Sequence, residues 1–423
     1  MGDHSVETIL DILFRLMENT TLLENITSKL QNGTQAPNSW AQNLQILAPE
    51  ILMVDKVVSP IWYVIGLFGN PITARIWLGR KMRKNNSSAI YVGYLAIVHL
   101  IYLFFHFILE LSYAWDIHIY SKPIACEVFN IFLMAPQYLA PMLVLAFTVE
   151  RYIAVCHPFR KERFCTVRRA VYVSITLTIL SYCLASVQGY IWGYNESYNS
   201  CLPREIVQDF SKVWTIVTEM VIFLGIPLSV LIFNIIVLRE IRRLTSEGPV
   251  VLHGQQSSSS GNTTSTITLL SVSFFFICTL LPVSVVYSLQ DLLPYGESRS
   301  LEHMAVDPVW QRYLKYLLIR KIVEEICLSN IACYVFIYYI TGKYFRKEVN
   351  RLLGINKCNK IMRKRSSSTS RASPSRKSEY TLVSSNGKSH MDCASTKITH
   401  NSLTKYVNFK MASLSKHAPF KIR

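Results

Sequence analysis

Ionisable side chains interrupt several of the most apolar stretches of the chain. Residues 93–111 read GYLAIVHLIYLFFHFILEL and contain His99 and Glu110, while Glu219 and Glu324 lie in two later apolar stretches. A charged side chain in such a stretch is costly to bury, so it normally faces protein or water and has a function. Carboxylates on different stretches at similar depth would attract a cation in a narrow cleft of low dielectric constant. The carboxylates Glu110, Glu219 and Glu324 predict a site that binds a cationic group.

The sequence lacks the residue patterns of a catalytic or metal site. It has no HExxH, no paired catalytic aspartates and no nucleophile–base arrangement. Its ten cysteines lie mostly in apolar stretches, without metal-site spacing. The net charge of +17 suits nucleic-acid binding, but the basic residues fall in short clusters between apolar stretches and in a long tail. We predict no enzyme activity, no metal, no cofactor and no nucleic-acid partner.

Seven apolar segments must position the ionisable side chains. Half of the 423 residues are hydrophobic and 17% are charged, below the roughly 25% of soluble domains. A membrane-spanning helix needs about 20 mostly apolar residues. Seven segments qualify, at about 57–79, 89–113, 124–156, 169–192, 212–240, 266–290 and 312–340. The predicted fold is an all-α integral membrane bundle of seven transmembrane helices. A transporter is disfavoured because no internal repeat is visible.

Basic residues predict the orientation of the bundle in the lipid bilayer. The first, third and fifth connections and the tail contain GRKMRK, HPFRKERFCTVRR, REIRR and GKYFRKE. Such clusters remain cytoplasmic, so we expect a plasma-membrane protein with its N-terminus outside and its C-terminus in the cytoplasm. N-glycosylation motifs on the predicted outside lie at Asn19, Asn25, Asn32 and Asn195, although Asn85, Asn86 and Asn262 match the motif on the other side.

These boundaries divide the chain into four parts. Residues 1–54 are predicted as a glycosylated extracellular segment and residues 55–341 as the transmembrane domain. Residues 342–354, GKYFRKEVNRLLG, space apolar side chains on one face, which indicates a short amphipathic helix on the inner leaflet. Residues 355–423 are basic and rich in Ser and Thr, which predicts a disordered cytoplasmic tail.

The segment TVERYIAVCHPFRKERFCT, residues 148–166, carries the most specific pattern in the chain. A third span that ends in Glu150, Arg151 and Tyr152 and continues IAVCHP resembles the rhodopsin-like (class A) G-protein-coupled receptors. The longer sequence pattern around this segment is similar to that of neuropeptide receptors of the FMRFamide and thyrotropin-releasing-hormone type. The resemblance covers about residues 50–355. Further matches occur in order at Asn70, Leu95, Ala96, Cys126, Cys201, Pro227, Phe276, Pro282 and Tyr338.

The resemblance implies a receptor for an extracellular peptide that signals through a heterotrimeric G protein. It assigns G-protein coupling to Glu150, Arg151, Tyr152 and Tyr338. The first two would form a local ion pair that opens on activation. It also implies a disulfide between Cys126 and Cys201 on the oxidising side of the membrane. The tail sequence RKRSSSTSRAS favours arrestin binding after phosphorylation.

A ligand cavity is implied among the outer halves of the spans. The residues expected to contact the ligand are Glu110, Gln137, Glu219, Tyr287 and Glu324, with Arg320 and Glu325 as further polar candidates. The charged residues of the seventh span have two interpretations. They could contact the ligand, or they could neutralise each other on one helix, because Arg320 and Glu324 are four residues apart, as are Lys321 and Glu325.

The third span disfavours a small amine as the ligand. It carries Leu133 and Met134 in the region where amine receptors of the family have an aspartate. The resemblance therefore favours a peptide, basic or amidated. Pro227 and Pro282 would interrupt helical hydrogen bonds in the fifth and sixth spans and make kinks there.

Positions in the fifth, sixth and seventh spans depart from the family pattern. The usual Asn-Pro-x-x-Tyr of the seventh span reads Tyr334-Val335-Phe336-Ile337-Tyr338, and the Cys-Trp-x-Pro of the sixth reads Thr279-Leu280-Leu281-Pro282. Ile235 stands where a tyrosine is common. Without its proline the seventh span loses a kink, and without its tryptophan the sixth loses a bulky rotamer switch. These departures keep an alternative open, a receptor-like decoy or heteromer partner without G-protein signalling.

His99 stands where the resemblance implies a sodium-binding aspartate. That aspartate has partners that include the asparagine replaced here by Tyr334. A neutral imidazole is a poor sodium ligand, but it can hydrogen-bond Asn70 or Asn330 across the bundle. We interpret Asn70, His99, Asn330 and Tyr334 as a structural cluster at a former ion site. A pH-sensitive gate at His99 is the alternative.

Overall fold

The computed structural model describes residues 40–84, 86–197, 199–246, 259–290, 293 and 301–354. Within these residues, seven helices are long and apolar enough to cross a membrane. We number them as the first to seventh spans: Pro49–Trp77, Ser88–Trp115, Ala125–Cys156, Val167–Ile191, Glu205–Leu244, Thr268–Ser288 and Pro308–Thr341. The prediction of an all-α, seven-span membrane protein is confirmed.

Short helices and one hairpin connect or flank the spans. The helices are Trp40–Leu47, Arg80–Arg83, Pro158–Phe164, Leu301–Val306 and Lys343–Leu352, and the sixth-span helix itself begins at Ser259. The last short helix coincides with the segment predicted as amphipathic. Its place on the inner leaflet stays a prediction.

Local capping explains where several spans begin. The seventh span has Pro308 at its first turn, and the Asp307 carboxylate accepts a hydrogen bond of 2.9 Å from the Val309 amide. At the fourth span the Thr166 hydroxyl accepts a 3.3 Å hydrogen bond from the Arg169 amide. Both are N-cap interactions, which satisfy amides that have no partner in the first helical turn.

The third span is central, since it packs against the second, fourth and fifth, while the first packs against the second and seventh. Two glycines permit the close approach of the first span. A Cβ atom at Gly69 would lie 2.7 Å from Val335 Cγ1, and one at Gly66 would lie 2.3 Å from Leu103 Cδ1. Small residues at helix contacts are the usual means of tight packing in membrane bundles.

The fifth span contains a π-helical turn. It begins with the 3-10 turn Glu205–Val207 and the helix Gln208–Thr218, passes through the π-helical turn Glu219–Gly225, and ends as Ile226–Ser246. The π turn ends two residues before Pro227, whose ring nitrogen cannot donate a hydrogen bond. A widened turn accommodates that missing bond. The expected interruption near Pro227 therefore takes this form, whereas the sixth span stays helical through Pro282.

A β-hairpin follows the fourth span and is tied to the third. Strands β1 (Trp192–Asn195) and β2 (Ser200–Pro203) are antiparallel, with Tyr194 opposite Cys201. Cys201 forms a disulfide with Cys126 at the start of the third span, with their Cα atoms 5.5 Å apart. The disulfide implied by the resemblance is present. We call this end of the bundle the disulfide end and the opposite end the Arg151 end.

The first span starts earlier in the chain than predicted, and this adds Asp55 to the span. Its helix begins at Pro49, so the predicted boundary at residue 54/55 falls inside it and Asp55 becomes a residue of the span. The long connection before the seventh span also contains the helix Leu301–Val306. A core joins these parts at the disulfide end: Leu44, Leu47, Ala48, Ile51, Leu52, Met304, Trp310 and Leu314.

Several predicted features lie outside the described residues. They are the glycosylation motifs at Asn19, Asn25 and Asn32, and the tail from residue 355 onward.

Candidate binding cavity

A cavity of about 570 Å³ lies between the spans and reaches the hairpin. Trp192 and Pro203 of the hairpin line it at the disulfide end, and His99 and Asn330 line its deep end. All five predicted ligand contacts line this cavity: Glu110, Gln137, Glu219, Tyr287 and Glu324. The structure thus brings together side chains from the second, third, fifth, sixth and seventh spans. Their role in binding stays a prediction.

Arg320 is held by three partners at one side of the cavity. Its Nε donates to Glu324 Oε1 at 2.9 Å, its Nη1 to Gln290 Oε1 at 2.9 Å, and its Nη2 to Tyr287 Oη at 3.1 Å. The guanidinium carbon also lies 4.3 Å from the centroid of the Tyr287 ring. The Tyr287 hydroxyl donates in turn to Glu324. One interpretation of the seventh span, that Arg320 and Glu324 pair on the helix, therefore agrees with the geometry.

Lys321 does not pair with Glu325, contrary to the i, i+4 expectation. Its Nζ lies 2.8 Å from Asp55 Oδ1, 3.2 Å from Glu324 Oε2 and 3.5 Å from Glu110 Oε1. The reason is that Asp55 and Glu110, on the first and second spans, offer buried anionic partners that a surface helix would not have. Lys321 therefore connects three spans.

Glu325 faces away from the cavity, so its candidacy as a ligand contact is not supported by its position. It does not line the cavity, and its Oε1 accepts a 2.5 Å hydrogen bond from the Ser59 hydroxyl of the first span. One turn further along, the hydroxyl of Tyr63 and Nδ1 of His106 are 2.8 Å apart. These contacts continue a polar seam between the first, second and seventh spans.

Glu219 differs from the other cavity carboxylates because nothing neutralises it directly. It is the first residue of the π-helical turn, lines the cavity and is half-buried. Within the part of the chain that the structure describes, its carboxylate accepts no hydrogen bond and forms no ion pair. A carboxylate in this position can receive a cationic group without first losing another partner.

His99 lies at the deep end of the cavity and packs on an aromatic ring. Its ring centroid is 5.3 Å from that of Tyr334, with the planes inclined by 34°. The predicted hydrogen bond to Asn70 or Asn330 is wrong. Asn70 Nδ2 donates to the Ile331 carbonyl at 3.2 Å, and Asn330 Nδ2 donates to Thr279 Oγ1 at 2.7 Å. Both asparagines thus use their donors on nearer groups.

The Arg151 end shows a second correction. No ion pair joins Glu150 to Arg151, both of which the structure describes. The Glu150 carboxylate instead accepts a hydrogen bond from the Ser87 hydroxyl, and Arg151 Nη2 donates to Asn86 Oδ1 at 3.2 Å. Adjacent residues of a helix point about 100° apart. The two side chains therefore contact different residues, both located just before the second span.

Two tyrosines predicted to act in coupling occupy different surroundings. The hydroxyl of Tyr152 and Nε2 of His157 are 3.1 Å apart, and the Tyr152 ring lies 5.3 Å from that of Phe233 in the fifth span. Tyr338 is buried, with its ring 5.3 Å from Trp77 and 5.5 Å from Phe345. Coupling through these residues stays a prediction.

The glycosylation motif at Asn195 begins at the last residue of β1 and continues into the turn of the hairpin. Its Oδ1 accepts a 3.0 Å hydrogen bond from the Ser197 amide, and Glu196 between them is exposed. The motif therefore lies at the disulfide end of the bundle.

Asp55, Ser59 and Gln290 are polar residues of the site that sequence reasoning missed. Asp55 lies outside the predicted first apolar segment, which begins at residue 57. A signal was available, since Asp55 is the only carboxylate in PEILMVDKVVSPIWYVIG after Glu50. An acidic residue inside an apolar run of that length predicts a buried partner.

Comparison with known proteins identifies similar receptors. The family described as 7 transmembrane receptor (rhodopsin family) matches residues 72–318, which is 247 of the 423 residues. The Pyrokinin-1 receptor of Drosophila melanogaster is 26% identical over 213 residues, covering 50% of this chain and 49% of that receptor. The Neuromedin U receptor homolog nmur-2 of Caenorhabditis elegans is 25% identical over 173 residues, covering 40% and 41%.

A third relative is matched over more of its length. The C-C chemokine receptor type 1 of Homo sapiens is 24% identical over 348 residues, which cover 79% of this chain and 88% of that receptor. By contrast, the chain spans about half or less of the length of the pyrokinin and neuromedin U relatives.

Proposed function

Because the chain belongs to the rhodopsin family of seven-transmembrane receptors, we propose that it is a plasma-membrane receptor for an extracellular peptide, coupled to a heterotrimeric G protein. Membership of a receptor family confirms the prediction of a receptor rather than an enzyme, and the decoy alternative is not favoured. The names of the pyrokinin and neuromedin U relatives support a peptide ligand.

The proposal of a cationic ligand rests mainly on the carboxylate of Glu219, which no described residue neutralises. It faces a cavity of about 570 Å³ in which Arg320 and Lys321 are already engaged by other groups. A cationic group of a peptide, such as an arginine side chain, would gain a charge-assisted hydrogen bond there. The ligand we propose is therefore a basic peptide, with amidation consistent with the resemblance to neuropeptide receptors.

The proposed orientation puts the disulfide end outside the cell and the Arg151 end in the cytoplasm. Clusters of Lys and Arg on the connections at the Arg151 end support it. Agonist binding would shift the bundle toward a state in which Arg151 leaves Asn86 and meets the G protein. Only an agonist that prefers this state produces the shift. Phosphorylation of the basic Ser/Thr-rich tail would then recruit arrestin.

The test is a G-protein activation screen in cells against a library of amidated neuropeptides. We expect at least one basic peptide to activate the wild-type chain and Arg151→Ala to abolish that response at equal surface expression. A failure of every peptide with normal surface expression would overturn the receptor proposal.

Substitution of Glu219 tests the ligand's charge. For a basic agonist, we expect Glu219→Gln to weaken potency by about 10-fold to 100-fold, because a hydrogen bond to a charged group contributes about 1.5–3 kcal/mol. The matched control is Glu196→Gln in the exposed hairpin turn, which removes the same charge outside the cavity. Equal potency of Glu219→Gln and wild type would show that this carboxylate does not bind the cation.

A further inference from the structure

The ammonium group of Lys321 lies inside a cradle of three carboxylates. They come from the first span (Asp55), the second span (Glu110) and the seventh span (Glu324), at 2.8, 3.5 and 3.2 Å from Nζ. The inner part of the cradle is closed from water, since the Asp55 side chain is 0% exposed and that of Lys321 is 11% exposed, whereas Glu324 is 24% exposed and lines the cavity. The Tyr113 ring covers the ammonium at 5.4 Å, a cation–π arrangement.

One ammonium cannot satisfy all the acceptors of this cradle. Oδ2 of Asp55 and Oε2 of Glu110 are buried and receive no hydrogen bond from any residue that the structure describes. An ammonium has three N–H donors, and three carboxylates present more acceptor positions than that. Buried acceptors without donors are costly, so Lys321 satisfies the cradle only in part and an ammonium with better-placed donors can compete for its place.

The geometry selects an ammonium over a guanidinium. The three carboxylates approach Nζ from three different helices, which suits a compact charge with donors in tetrahedral directions. A guanidinium donates in one plane and favours a single carboxylate in fork geometry, which carboxylates on three different helices do not provide.

Lys321 also separates part of the cradle from the cavity. Glu110, Lys321 and Glu324 line the cavity, whereas Asp55 does not. Access to Asp55 therefore requires the flexible lysine side chain to move aside. The deep partner of the cradle becomes available only when Lys321 leaves it.

We propose that Asp55, Glu110 and Glu324 form a binding site for a primary ammonium group, which Lys321 fills in the ligand-free chain and which an ammonium of the ligand takes over. A peptide N-terminus or a lysine side chain has this chemistry. The part played by the ligand rests on the proposed receptor function, whereas the site itself does not. Displacement of Lys321 would replace its connection between the first, second and seventh spans with one that passes through the ligand.

The experiment uses n-propylammonium as the probe, because Lys321→Ala removes the three carbons and the nitrogen that this ion contains. The full chain is purified in lipid nanodiscs and its thermal unfolding midpoint is measured. We expect Lys321→Ala to lower the midpoint by roughly 10 °C, since it leaves buried carboxylates without their cation. Millimolar n-propylammonium should then raise the midpoint of the variant by about 3 °C or more.

Control ligands and variants distinguish binding at the cradle from nonspecific effects of the added compound on the unfolding midpoint. n-Propanol and n-propylguanidinium should give smaller shifts in the variant, and wild type should not respond because Lys321 fills its site. Lys321→Ala/Asp55→Asn should lose the response to n-propylammonium. If Lys321→Ala does not fold, Lys321→Ala/Glu110→Gln carries one buried carboxylate fewer and takes its place in the same assay.

Two results would overturn the ammonium site. One is the absence of a shift with n-propylammonium beyond that with n-propanol. The other is an equal shift in wild type and variant, which would place the bound ion elsewhere. A specific shift combined with a negative peptide screen would support the site and overturn the receptor function, so the two proposals fail separately.

Discussion

At the deep end of the cavity, the ring of His99 packs against the inclined ring of Tyr334. Their centroids are 5.3 Å apart, and the two asparagines predicted as partners of His99 bond to Ile331 and Thr279 instead. At this depth the described residues offer no carboxylate to a metal ion, and the groups present are an imidazole, a phenol and two engaged amides. The side chains of this cluster therefore pack against one another and do not form an ion site.

This composition predicts an agonist affinity that does not depend on sodium. Replacing NaCl by choline chloride at equal ionic strength should leave the agonist dissociation constant unchanged within about 2-fold, because neutral imidazole is a poor ligand for a hard cation. Radioligand or fluorescent-ligand binding measures the effect. A strong, specific sodium effect that His99→Ala abolishes would contradict the interpretation of a former ion site.

Pairs within a helix were predictable only in part, although Arg320 and Glu324 do pair as their i, i+4 spacing predicts. Lys321 and Glu325 have the i, i+4 spacing, and Glu150 and Arg151 are adjacent, yet neither pair forms. The partners that replace them are Asp55 for Lys321 and Ser87 for Glu150, both distant in sequence. Spacing along one helix reports which side chains share a face, but it does not report which neighbouring helix that face meets.

Among the elements, the β-hairpin is fastened at two points rather than by its disulfide alone. Arg204, just after β2, donates to the carbonyls of Gly189 and Tyr190 at 3.0 and 2.7 Å and to Glu127 Oε1 at 2.8 Å. Gly193 makes room for this arginine, since a Cβ there would lie 2.6 Å from its Nε. The hairpin that lines the cavity is therefore held to the third and fourth spans.

Loss of Arg204 should loosen the hairpin while the disulfide stays intact. We expect Arg204→Met to speed amide hydrogen exchange in residues 192–203 by about 10-fold, because charge-assisted hydrogen bonds contribute about 1.5–3 kcal/mol. Exchange measured by mass spectrometry reports it. Arg204→Lys is the matched control, because it keeps a charge for Glu127. Unchanged exchange in the methionine variant would mean that the disulfide is sufficient.

Long elements were predictable from sequence, and short or irregular ones were not. The seven spans follow from segment length and hydropathy, because every backbone group in lipid must be satisfied within its own helix. The four-residue strands of the hairpin carry no clear alternation, and the start of the first span at Pro49 is hidden by Asp55 and Lys56. A charged residue that is stabilised by a partner on another helix can lie within a span. In the sequence alone, such a residue is easily mistaken for the end of the apolar segment.

For the whole molecule, the orientation of the bundle is the property that most directly governs function. The Lys/Arg clusters predict that the disulfide end faces outward, where an oxidising medium permits Cys126–Cys201 to form. The hairpin turn with Asn195 would then face the enzymes of the secretory pathway.

This topology predicts which parts of the chain antibodies reach in intact cells. An epitope tag at the N-terminus should be stained without permeabilisation, and a tag at the C-terminus only after it. Asn195→Gln should reduce the shift in gel mobility caused by glycosidase treatment, and Asn86→Gln should not. Staining of the C-terminal tag on intact cells would reverse the proposed orientation.

The π-helical turn Glu219–Gly225 makes the fifth span longer by one residue than a regular helix would be over the same rise. Because one helical residue corresponds to a rotation of about 100°, deletion of a single residue between Met220 and Gly225 would turn Glu219 away from the cavity. Every cavity side chain would still be present. Ligand preference at this site is therefore open to change by insertion or deletion, and not only by substitution.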